Sequence, residues 1–321
     1  MYADKTLEIK EVYIKFPRIY NLTDSTLIIT SPSIGYSSGN HLIYIVSKFT
    51  GKIIRSFGTE GRGPEEMMAV NNISTFNKEL LFYDATSRKI LHYNLTNDSV
   101  YFQSIASQKK FFFLRNLYLV GKNKFLASGV FGKYKYNYGD ITSGKGSFFL
   151  EYPYLPDITK EKQQDLTLAR SYAYNGVLVK HPELPKFVFY SILAEYLQII
   201  ELNGDTVKEV MHSCFAPPKG KVAYKVDAYI WGTSRNASTY FIGGTASTNY
   251  IYLLYSGKLL NGNESDKGGY IYIFDWEGNK IKCLELDKEV YGITVGKEDK
   301  EIYAYTTNDK TLKNEILHYT L

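Results

Sequence analysis

Apolar residues along this chain occur in short runs that are separated by polar turns. Four segments share one layout: about five apolar residues, a polar or glycine-containing turn, and a second run in which apolar positions alternate. These segments are Leu42–Phe57, Leu80–Leu95, Phe187–Leu202 and Tyr270–Leu286. Runs of this length joined by tight turns predict antiparallel β-hairpins.

One of the returning runs is repeated almost unchanged. The hexapeptide ILHYNL at Ile90–Leu95 recurs as ILHYTL at Ile316–Leu321, each time after an apolar run and a polar turn. Self-similarity of this kind indicates a repeat architecture, and the average spacing of about 56 residues between the returning runs from Ile90 to Ile316 suits propeller blades. Six returning runs are found, and they begin at Ile53, Ile90, Ser147, Leu197, Ile281 and Ile316.

Further apolar runs precede most of these hairpins. They are Ser25–Thr30, Asn71–Thr75, Phe111–Val120 and Val290–Val295. Four short antiparallel strands per repeat predict an all-β fold, a six-bladed β-propeller of four-stranded antiparallel blades rather than a sandwich. We expect a single propeller domain over residues 1–321. Helical periodicity is visible only within Ile158–Tyr172, where we predict a short helical turn.

The N-terminal stretch Thr6–Phe16 predicts how the series of blades is closed. Its apolar positions alternate as far as Ile9 and then shift by one, which suggests a bulge. We expect this segment to add a strand to the last blade, beside Ile316–Leu321. Such closure removes the exposed edges that a linear array of sheets would leave.

Charge and composition exclude several classes of function. The balance of 38 basic and 33 acidic residues gives a net charge of +5. Because the lysines are interspersed with acids and form no basic stripe, we expect no nucleic-acid partner. No apolar span reaches the roughly 18 residues of a transmembrane helix, so no transmembrane segment is expected.

The two cysteines allow two interpretations. Cys214 and Cys283 either form one disulfide bridge between neighbouring repeats or, as we favour, are two separate and partly buried thiols.

Several segments resemble one family of proteins. FGTEGRGPEE at Phe57–Glu66 resembles the glycine- and proline-containing loop that follows the first blade in TolB-like six-bladed β-propeller proteins. The segments Tyr250–Leu260, Tyr270–Asp287 and Glu301–Tyr305 match that family in order and spacing. The resemblance extends from about Gly35 to the end of the chain.

The resemblance implies a bacterial propeller of a family that is common among gut anaerobes and mostly exported, often as lipoproteins. No catalytic residue or substrate is established for the family. Glu65 stands where the loop usually has its second glycine, which is tolerated if φ is negative there, and no lipobox cysteine precedes Tyr2. We therefore expect an exported monomer, in the periplasm or anchored at the cell surface, whose leader is not present in this chain.

Motifs for metal or nucleophilic chemistry are weak. The histidines are isolated, and neither a paired-histidine zinc motif nor a nucleophile elbow occurs, so we expect no metal and no cofactor. Asn261–Gly269 resembles a calcium loop but has Asp266 and Tyr272 where such a loop needs glycine and an acid. The loop Phe57–Glu66 lacks the helix of a phosphate site, so we read it as a tight crossover between blades. Four aspartates could converge on one face as glycosidase pairs do, but we read most of them as turn residues: Asp84, Asp140, Asp227 and Asp275.

Two aromatic segments are the strongest candidates for function. Alternation in KYKYNYGD at Lys133–Asp140 predicts that three tyrosines lie on one side of an extended segment and Lys133 and Lys135 on the other. AYIWGTSRN at Ala228–Asn236 adds further aromatics beside an arginine, a combination common at surfaces that bind sugars or proteins. The alternative is an ordinary strand with one tyrosine face buried between blades. The predicted ligand-binding residues are Tyr134, Tyr136, Tyr138, Tyr229, Trp231 and Arg235; we predict no catalytic residue.

The sequence favours a non-catalytic binding or scaffold propeller of the bacterial cell envelope. Its glycan, peptide or protein ligand is expected at an axial face, where loops from several blades meet. The alternative is an enzyme, a propeller hydrolase or lactonase-type protein with an axial metal or carboxylate site. A third reading, a protein-interaction platform in an envelope complex, predicts a flat and exposed aromatic patch.

Overall fold

Four-stranded antiparallel sheets dominate the structure. In the part of the chain that the computed structural model describes there are six of them, together with one two-stranded sheet. The described residues are 1–10, 12–105, 113–225, 228–262, 264–296, 298–308, 310–311 and 313–321. The fold is the all-β, six-bladed β-propeller predicted from the sequence, and each blade is one four-stranded sheet.

The first strand, β1 (Lys5–Ile9), belongs to the last blade, and blades 1 and 2 follow it in the chain. Blade 1 consists of β2 (Arg18–Asn21), β3 (Thr26–Thr30), β4 (His41–Ser47) and β5 (Ile53–Thr59). Blade 2 consists of β6 (Asn72–Phe76), β7 (Glu79–Asp84), β8 (Lys89–Asn94) and β9 (Val100–Ser104).

The predicted helical turn lies between blades 3 and 4. Blade 3 consists of β10 (Phe113–Leu119), β11 (Lys124–Phe131), β12 (Tyr134–Asp140) and β13 (Gly146–Glu151). A 3-10 helix (Lys160–Leu166) and α1 (Thr167–Ala173) follow. Blade 4 consists of β14 (Gly176–Lys180), β15 (Lys186–Ser191), β16 (Glu195–Asn203) and β17 (Thr206–Ala216).

A separate hairpin precedes blade 5. It consists of β18 (Gly220–Lys225) and β19 (Ala228–Thr233) and is not part of any blade. Blade 5 consists of β20 (Phe241–Ala246), β21 (Tyr250–Tyr255), β22 (Gly268–Asp275) and β23 (Lys280–Val290). Blade 6 consists of β24 (Gly292–Val295), β25 (Glu301–Thr307), β26 (Asn314–Thr320) and β1.

The chain divides into two compact units. Unit 1 comprises Met1–Ser104, Ile242–Tyr255 and Asp266–Leu321, and unit 2 comprises Ile105–Phe241 and Ser256–Ser265. Blades 1, 2 and 6 and most of blade 5 therefore belong to unit 1. Unit 2 holds blades 3 and 4, the two short helices and the separate hairpin.

The closing strand predicted at the N-terminus is confirmed. β1 pairs antiparallel with β26 over five residues, from Lys5 opposite His318 to Ile9 opposite Asn314. The regular strand ends at Ile9, where the sequence shows its shift in alternation. Beyond it, the Asn314 amide donates to the Val12 carbonyl at 3.1 Å and holds the chain in place.

The repeated hexapeptide forms the third strand of blades 2 and 6, and the repeat includes a polar pair. His92 Nδ1 lies 2.9 Å from Glu79 Oε2, and His318 Nε2 lies 3.2 Å from Glu301 Oε2. Each glutamate begins the strand that pairs with the hexapeptide. The two histidines are therefore part of the blade scaffold, as predicted.

The six returning runs do not all correspond to the same strand, which corrects the predicted phase of the repeats. Those at Ile90, Leu197 and Ile316 lie in third strands, whereas the other three begin or lie in the fourth strands β5, β13 and β23. The run Ser25–Thr30 is likewise a second strand. The reason is burial: Leu42–Val46 and Leu80–Asp84 are buried along their whole length. An inner strand covered on both faces reads as a continuous apolar run, so neighbouring hairpins of one blade look alike.

The loop Phe57–Glu66 is held by its own side chains, as expected of a crossover. The Gly63 amide donates to Glu66 Oε2 at 2.6 Å, and the Lys89 ammonium of blade 2 donates to the Glu66 carbonyl at 3.3 Å. Glu65 has no positive φ, so it fits a position where the family usually has glycine. The loop connects β5 to β6 and is structural.

Closure can be tested at Gly51, in the turn between β4 and β5. Its φ is +70°, and a Cβ there would lie 2.7 Å from the Glu8 carbonyl of β1. Gly35→Ala is the matched control, because its φ is +78° and a Cβ would have nothing within 4 Å. We expect Gly35→Ala to cost about 1 kcal/mol of unfolding free energy and Gly51→Ala about 2–4 kcal/mol in chemical denaturation. Equal costs would show that the turn does not depend on β1.

Candidate functional site

Unit 2 has an irregular stretch of backbone at the start of β12. The register of β12 against β11 shifts between Ser128 and Phe131, so two residues of β11 lie opposite Lys135. On the other side of β12 the pairing with β13 skips Leu150, which has a positive φ of 50°. Bulges of this kind redirect side chains, and a bulky residue in the left-handed region is strained. The irregularity ends the alternation on which the sequence prediction relied.

The consequence is that Lys135 and Tyr136 both point toward blade 4. Lys135 is fully buried, and its ammonium nitrogen faces the rings of two residues from blade 4 and two that belong to or follow blade 3. The distances from Nζ to the ring centroids are 4.5 Å for Phe189, 5.0 Å for Tyr196, 5.1 Å for Tyr136 and 5.6 Å for Tyr152. We call these five residues the Lys135 box. Nζ has no hydrogen-bond partner in the described structure.

Burial dominates the ionisation of this amine. Removal of Lys135 from water lowers its pKa from 10.5 to about 7. The negative charge of Glu209 acts in the opposite direction, and the positive charge of Arg170 lowers the pKa further. The four ring faces also favour the charged form, because the negative face of each aromatic ring attracts a cation. The amine therefore changes charge near neutral pH.

A chain of hydrogen bonds leads from the box to the surface. The Tyr136 hydroxyl donates to Gln198 Oε1 at 2.7 Å, and the Gln198 amide donates in turn to Glu209. The other oxygen of Glu209 lies 2.7 Å from Nδ1 of His212, which is exposed. Although burial alone would raise the pKa of Glu209, the hydrogen bonds from Gln198 and His212 hold it below its ordinary value. Glu209 is therefore kept as a carboxylate.

Arg170 of α1 fastens the helix to the segment after β13. Its Nε donates to the Pro153 carbonyl at 3.2 Å, and its terminal nitrogens donate to Glu151 Oε2 at 3.3 Å and to the Tyr152 carbonyl. The guanidinium carbon also lies 4.8 Å from the ring centroid of Tyr154. Because the side chain is buried, these contacts replace the water that an arginine would otherwise keep.

Tyr174, directly after α1, covers the box from the same direction. Its ring meets that of Tyr196 edge-to-face, with 5.5 Å between the centroids. Its hydroxyl donates to the Tyr154 carbonyl at 3.2 Å. The α1 segment therefore forms a lid over the Lys135 box, held by Arg170 and Tyr174.

The hairpin β18–β19 packs on this lid through one face of its base. Val222 lies opposite Trp231, and Trp231 belongs to the same buried cluster as Ala169 and Ala173 of α1. A Cβ at position 220 would lie 2.5 Å from the indole ring, so glycine is required there. We use the term cap for α1 and this hairpin together.

The tip of the hairpin is exposed. Tyr224 and Tyr229 face each other across the strands with ring centroids 5.1 Å apart, and they are 62% and 41% exposed. Four exposed cations lie along the hairpin, one at its tip and three at or beside its base, and they form no ion pair with any described residue. These cations are Lys219, Lys221, Lys225 and Arg235. The hairpin thus presents aromatic rings and unpaired positive charge to solvent.

The antiparallel order of the strands explains why the cap and the box lie together. In a four-stranded meander, the turn between strands two and three and the link to the next blade lie at the same end of the sheet. Lys135 follows the turn between β11 and β12, and the cap is built from the links that follow β13 and β17. This end of blades 3 and 4 therefore collects the parts of unit 2 that are not regular blade structure.

Comparison with known proteins agrees with this architecture. A family model described as TolB-like 6-blade propeller-like matches residues 1–298. The chain belongs to this family. An exported protein of Bacteroides fragilis has a similar structure, with a TM-score of 0.58 and 12% identity over 99% of this chain and 94% of its own. A β-propeller domain from Myceliophteria thermophila has a TM-score of 0.50 and 12% identity over 99% of both chains. Among proteins of curated function, none matches in sequence.

The predicted binding residues of this TolB-like propeller have different environments. Tyr136 and Trp231 are buried in one cluster, and Tyr138 packs against it half-buried. Tyr134 is half-buried and stacks on Phe148, with the centroids 6.3 Å apart. Tyr229 and Arg235 are exposed on and after the hairpin. The structure therefore does not gather all six on one surface, and their binding role stays a prediction.

Lys135 was missed by sequence reasoning, which placed it on the side away from the tyrosines. The signal that points to the bulge is Gly129 in the interior of β11, since glycine inside a strand often marks a bulge. The partner strand of Tyr229 and Trp231 was also not predicted. Gly220–Lys225 is short and lysine-rich, a composition typical of loops rather than strands.

The other candidate sites of the TolB-like propeller are structural where they are described. Three aspartates cap their own turns: Asp84 accepts from the Ser87 amide, Asp140 from the Ser143 amide and Asp275 from the Asn279 amide. Asp227 lies outside the described residues. Within the described chain, no group of three or more His, Cys, Asp or Glu residues is placed to hold a metal ion.

Two further expectations concern thiols and membrane spans, and one contact fixes a loop. In the loop Asn261–Gly269, of which Asn263 lies outside the described residues, the Ser265 carbonyl accepts a hydrogen bond from the Thr239 hydroxyl at 2.6 Å. Cys214 and Cys283 are separate, as expected, although both are exposed. Neither described helix has the length and apolar character needed to cross a membrane.

The free-energy cost of burying Lys135 can be measured with Lys135→Met, which keeps an unbranched side chain of similar length and removes the charge. We expect unfolding free energy to rise by about 2–4 kcal/mol at pH 6. The folded-state pKa of about 7 lies below the ordinary 10.5, so the unfolded chain holds the extra proton between these values. The unfolding free energy of the wild type therefore rises as pH increases from about 7 to 10.5, and the stability advantage of Lys135→Met over the wild type becomes smaller.

The control is Lys133→Met, which removes an exposed lysine that is 3.2 Å from Glu151. It should change stability by no more than about 1 kcal/mol, with little dependence on pH above 6. Chemical denaturation at pH 6, 8 and 10 checks both variants. A loss of stability in Lys135→Met at pH 6 would mean that the four rings outweigh desolvation.

Proposed function

We propose that this TolB-like propeller is a non-catalytic binding or scaffold protein of the bacterial cell envelope. Its glycan, peptide or protein ligand would dock on the β18–β19 hairpin. The observation that carries the proposal is the hairpin outside the blades, which has two exposed tyrosines near its tip and four exposed cations along its length that form no ion pair with a described residue. Exposed tyrosines beside lysine and arginine provide both apolar contact and hydrogen bonds to a ligand.

The base of the hairpin supports this role. Trp231 is buried against the lid while Tyr229, two residues earlier on the same face, remains exposed. A fixed base beneath an exposed tip reduces the conformational entropy that is lost on binding. The same tyrosine pair would contribute less to the stability of the fold than buried rings do, because both residues remain exposed, Tyr224 to 62% and Tyr229 to 41%.

Localisation in the envelope is part of the proposal. It is supported by the family, which is expected to be mostly exported, and by a similar fold in the exported protein from Bacteroides fragilis. We also propose that residues 1–321 act as one propeller domain and as a monomer. The alternative, a hydrolase or lactonase-type enzyme, needs an axial metal or carboxylate set, and no arrangement of the described residues favours it.

The tip can be tested with the double variant Tyr224→Ser/Tyr229→Ser. On an array of immobilised envelope glycans and peptides, we expect wild-type binding and at least about tenfold weaker binding by the variant, since paired aromatic anchors often dominate an interface. Tyr270→Ser is the matched control, because Tyr270 is also 41% exposed but lies on blade 5. Wild-type binding that survives in the double variant would exclude the hairpin as the recognition surface.

A further inference from the structure

The Lys135 box combines three features that each lower the stability of the fold. An ammonium group is buried without a hydrogen-bond partner, the ladder beside it is interrupted by a bulge, and Leu150 has a left-handed backbone. Such costs persist where the surrounding structure serves a function, and methionine at position 135 would fill a similar volume without the buried charge. Their coincidence at one residue points to a site.

The chemistry of the box defines what fits it. Two tyrosine hydroxyls of the box already use their protons in hydrogen bonds and have none left for a ligand. Tyr136 donates to Gln198, and Tyr152 donates to the Gly129 carbonyl at 3.0 Å. The three N–H groups of Lys135 are the donors that lack an acceptor. One positive charge balances one negative charge, so a singly charged anion is better matched than a multiply charged one. The surrounding rings provide apolar contact for the rest of the molecule.

Access to the box depends on the lid. The box residues are buried in this conformation. The helix α1 is fastened by Arg170 and Tyr174, by burial of Ala169 and Ala173, and by the Arg115 guanidinium, which donates to the Ser171 carbonyl at 2.8 Å. The Glu151 carboxylate that holds Arg170 is 36% exposed, so this end of the fastening is open to water and to competing charge. Because Ala169 and Ala173 of α1 are buried in the same cluster as Trp231, opening requires α1 and the hairpin to move together as the cap, which lies outside the blades and can open without unfolding them.

We propose that the Lys135 box is an internal binding site for a small organic carboxylate, admitted when the α1 lid opens. The carboxylate would accept hydrogen bonds from Lys135 Nζ, and its apolar part would lie among the four rings. This site is separate from the recognition surface on the hairpin tip. It gives the TolB-like propeller a small-molecule site in addition to a surface for a large ligand.

The charged groups around Lys135 fix the expected pH dependence. Glu209 of β17 and Arg170 of α1 are the charges that act on it, and Tyr136, Tyr152 and Tyr196 are the titratable groups of the box. Burial raises the pKa of all three tyrosines, so they stay neutral. Only the protonated lysine can balance a carboxylate, and binding should therefore weaken as pH rises through neutrality.

The test is calorimetric titration of the whole chain with three named probes, benzoate, 4-hydroxyphenylacetate and glucuronate, at pH 6 and pH 9. We expect at least one probe to bind, with affinity about tenfold or more higher at pH 6 than at pH 9. Lys135→Met should abolish this binding, whereas Lys133→Met should retain it. Inorganic phosphate has no apolar part to lie among the rings, so at pH 6 it should bind more weakly than the carboxylate.

Two controls separate the outcomes. Tyr224→Ser/Tyr229→Ser should leave carboxylate binding unchanged, so a failure of the hairpin proposal and a failure of this one are distinguishable. If Lys135→Met does not fold, the pH dependence of wild-type binding still decides the matter. Absence of binding by all three probes at pH 6, or equal binding by Lys135→Met, would reduce Lys135 to a structural clamp and overturn the proposal.

Discussion

The ladder between β1 and β26 is the interaction on which unit 1 depends. It takes five residues from one end of the sequence and completes the sheet formed near the other end. Without it, β26 would be an edge strand with unpaired backbone groups, and edges of this kind invite aggregation. Its effect extends to blade 1, because the turn at Gly51 packs on the Glu8 carbonyl and the Lys5 ammonium donates to the Phe49 carbonyl at 3.0 Å.

Unit 2 departs from this regularity at one end of its blades. The links after β13 and β17 carry the lid and the hairpin, and Lys135, which lies opposite the bulge in β11, points into the space beneath them. Regular blades need neither the buried amine nor the strained Leu150. The energetically unfavourable features of unit 2 and its irregular structure therefore occur at the same place, and function is best sought there.

Much of the fold was accessible from the sequence, and the site was not. The repeated hexapeptide, the apolar hairpins and the shift after Ile9 predict six blades and the closing strand because pleated strands have a strict period of two. That period fails at Lys135, where a bulge that depends on two neighbouring strands reverses the side-chain direction. Trp231 was predicted as a binding residue, but its burial depends on α1, which lies more than fifty residues away in the chain.

The most direct test of this account is an NMR titration that measures the pKa of the Lys135 amine with isotope-labelled lysine. Lys135→Met would assign its signal, and the exposed Lys133 would serve as an internal reference. The account predicts a midpoint near 7 for Lys135, set by burial without a hydrogen-bond partner. A midpoint near the ordinary value of 10.5 would contradict it, because the ammonium would then be fully stabilised by the four rings.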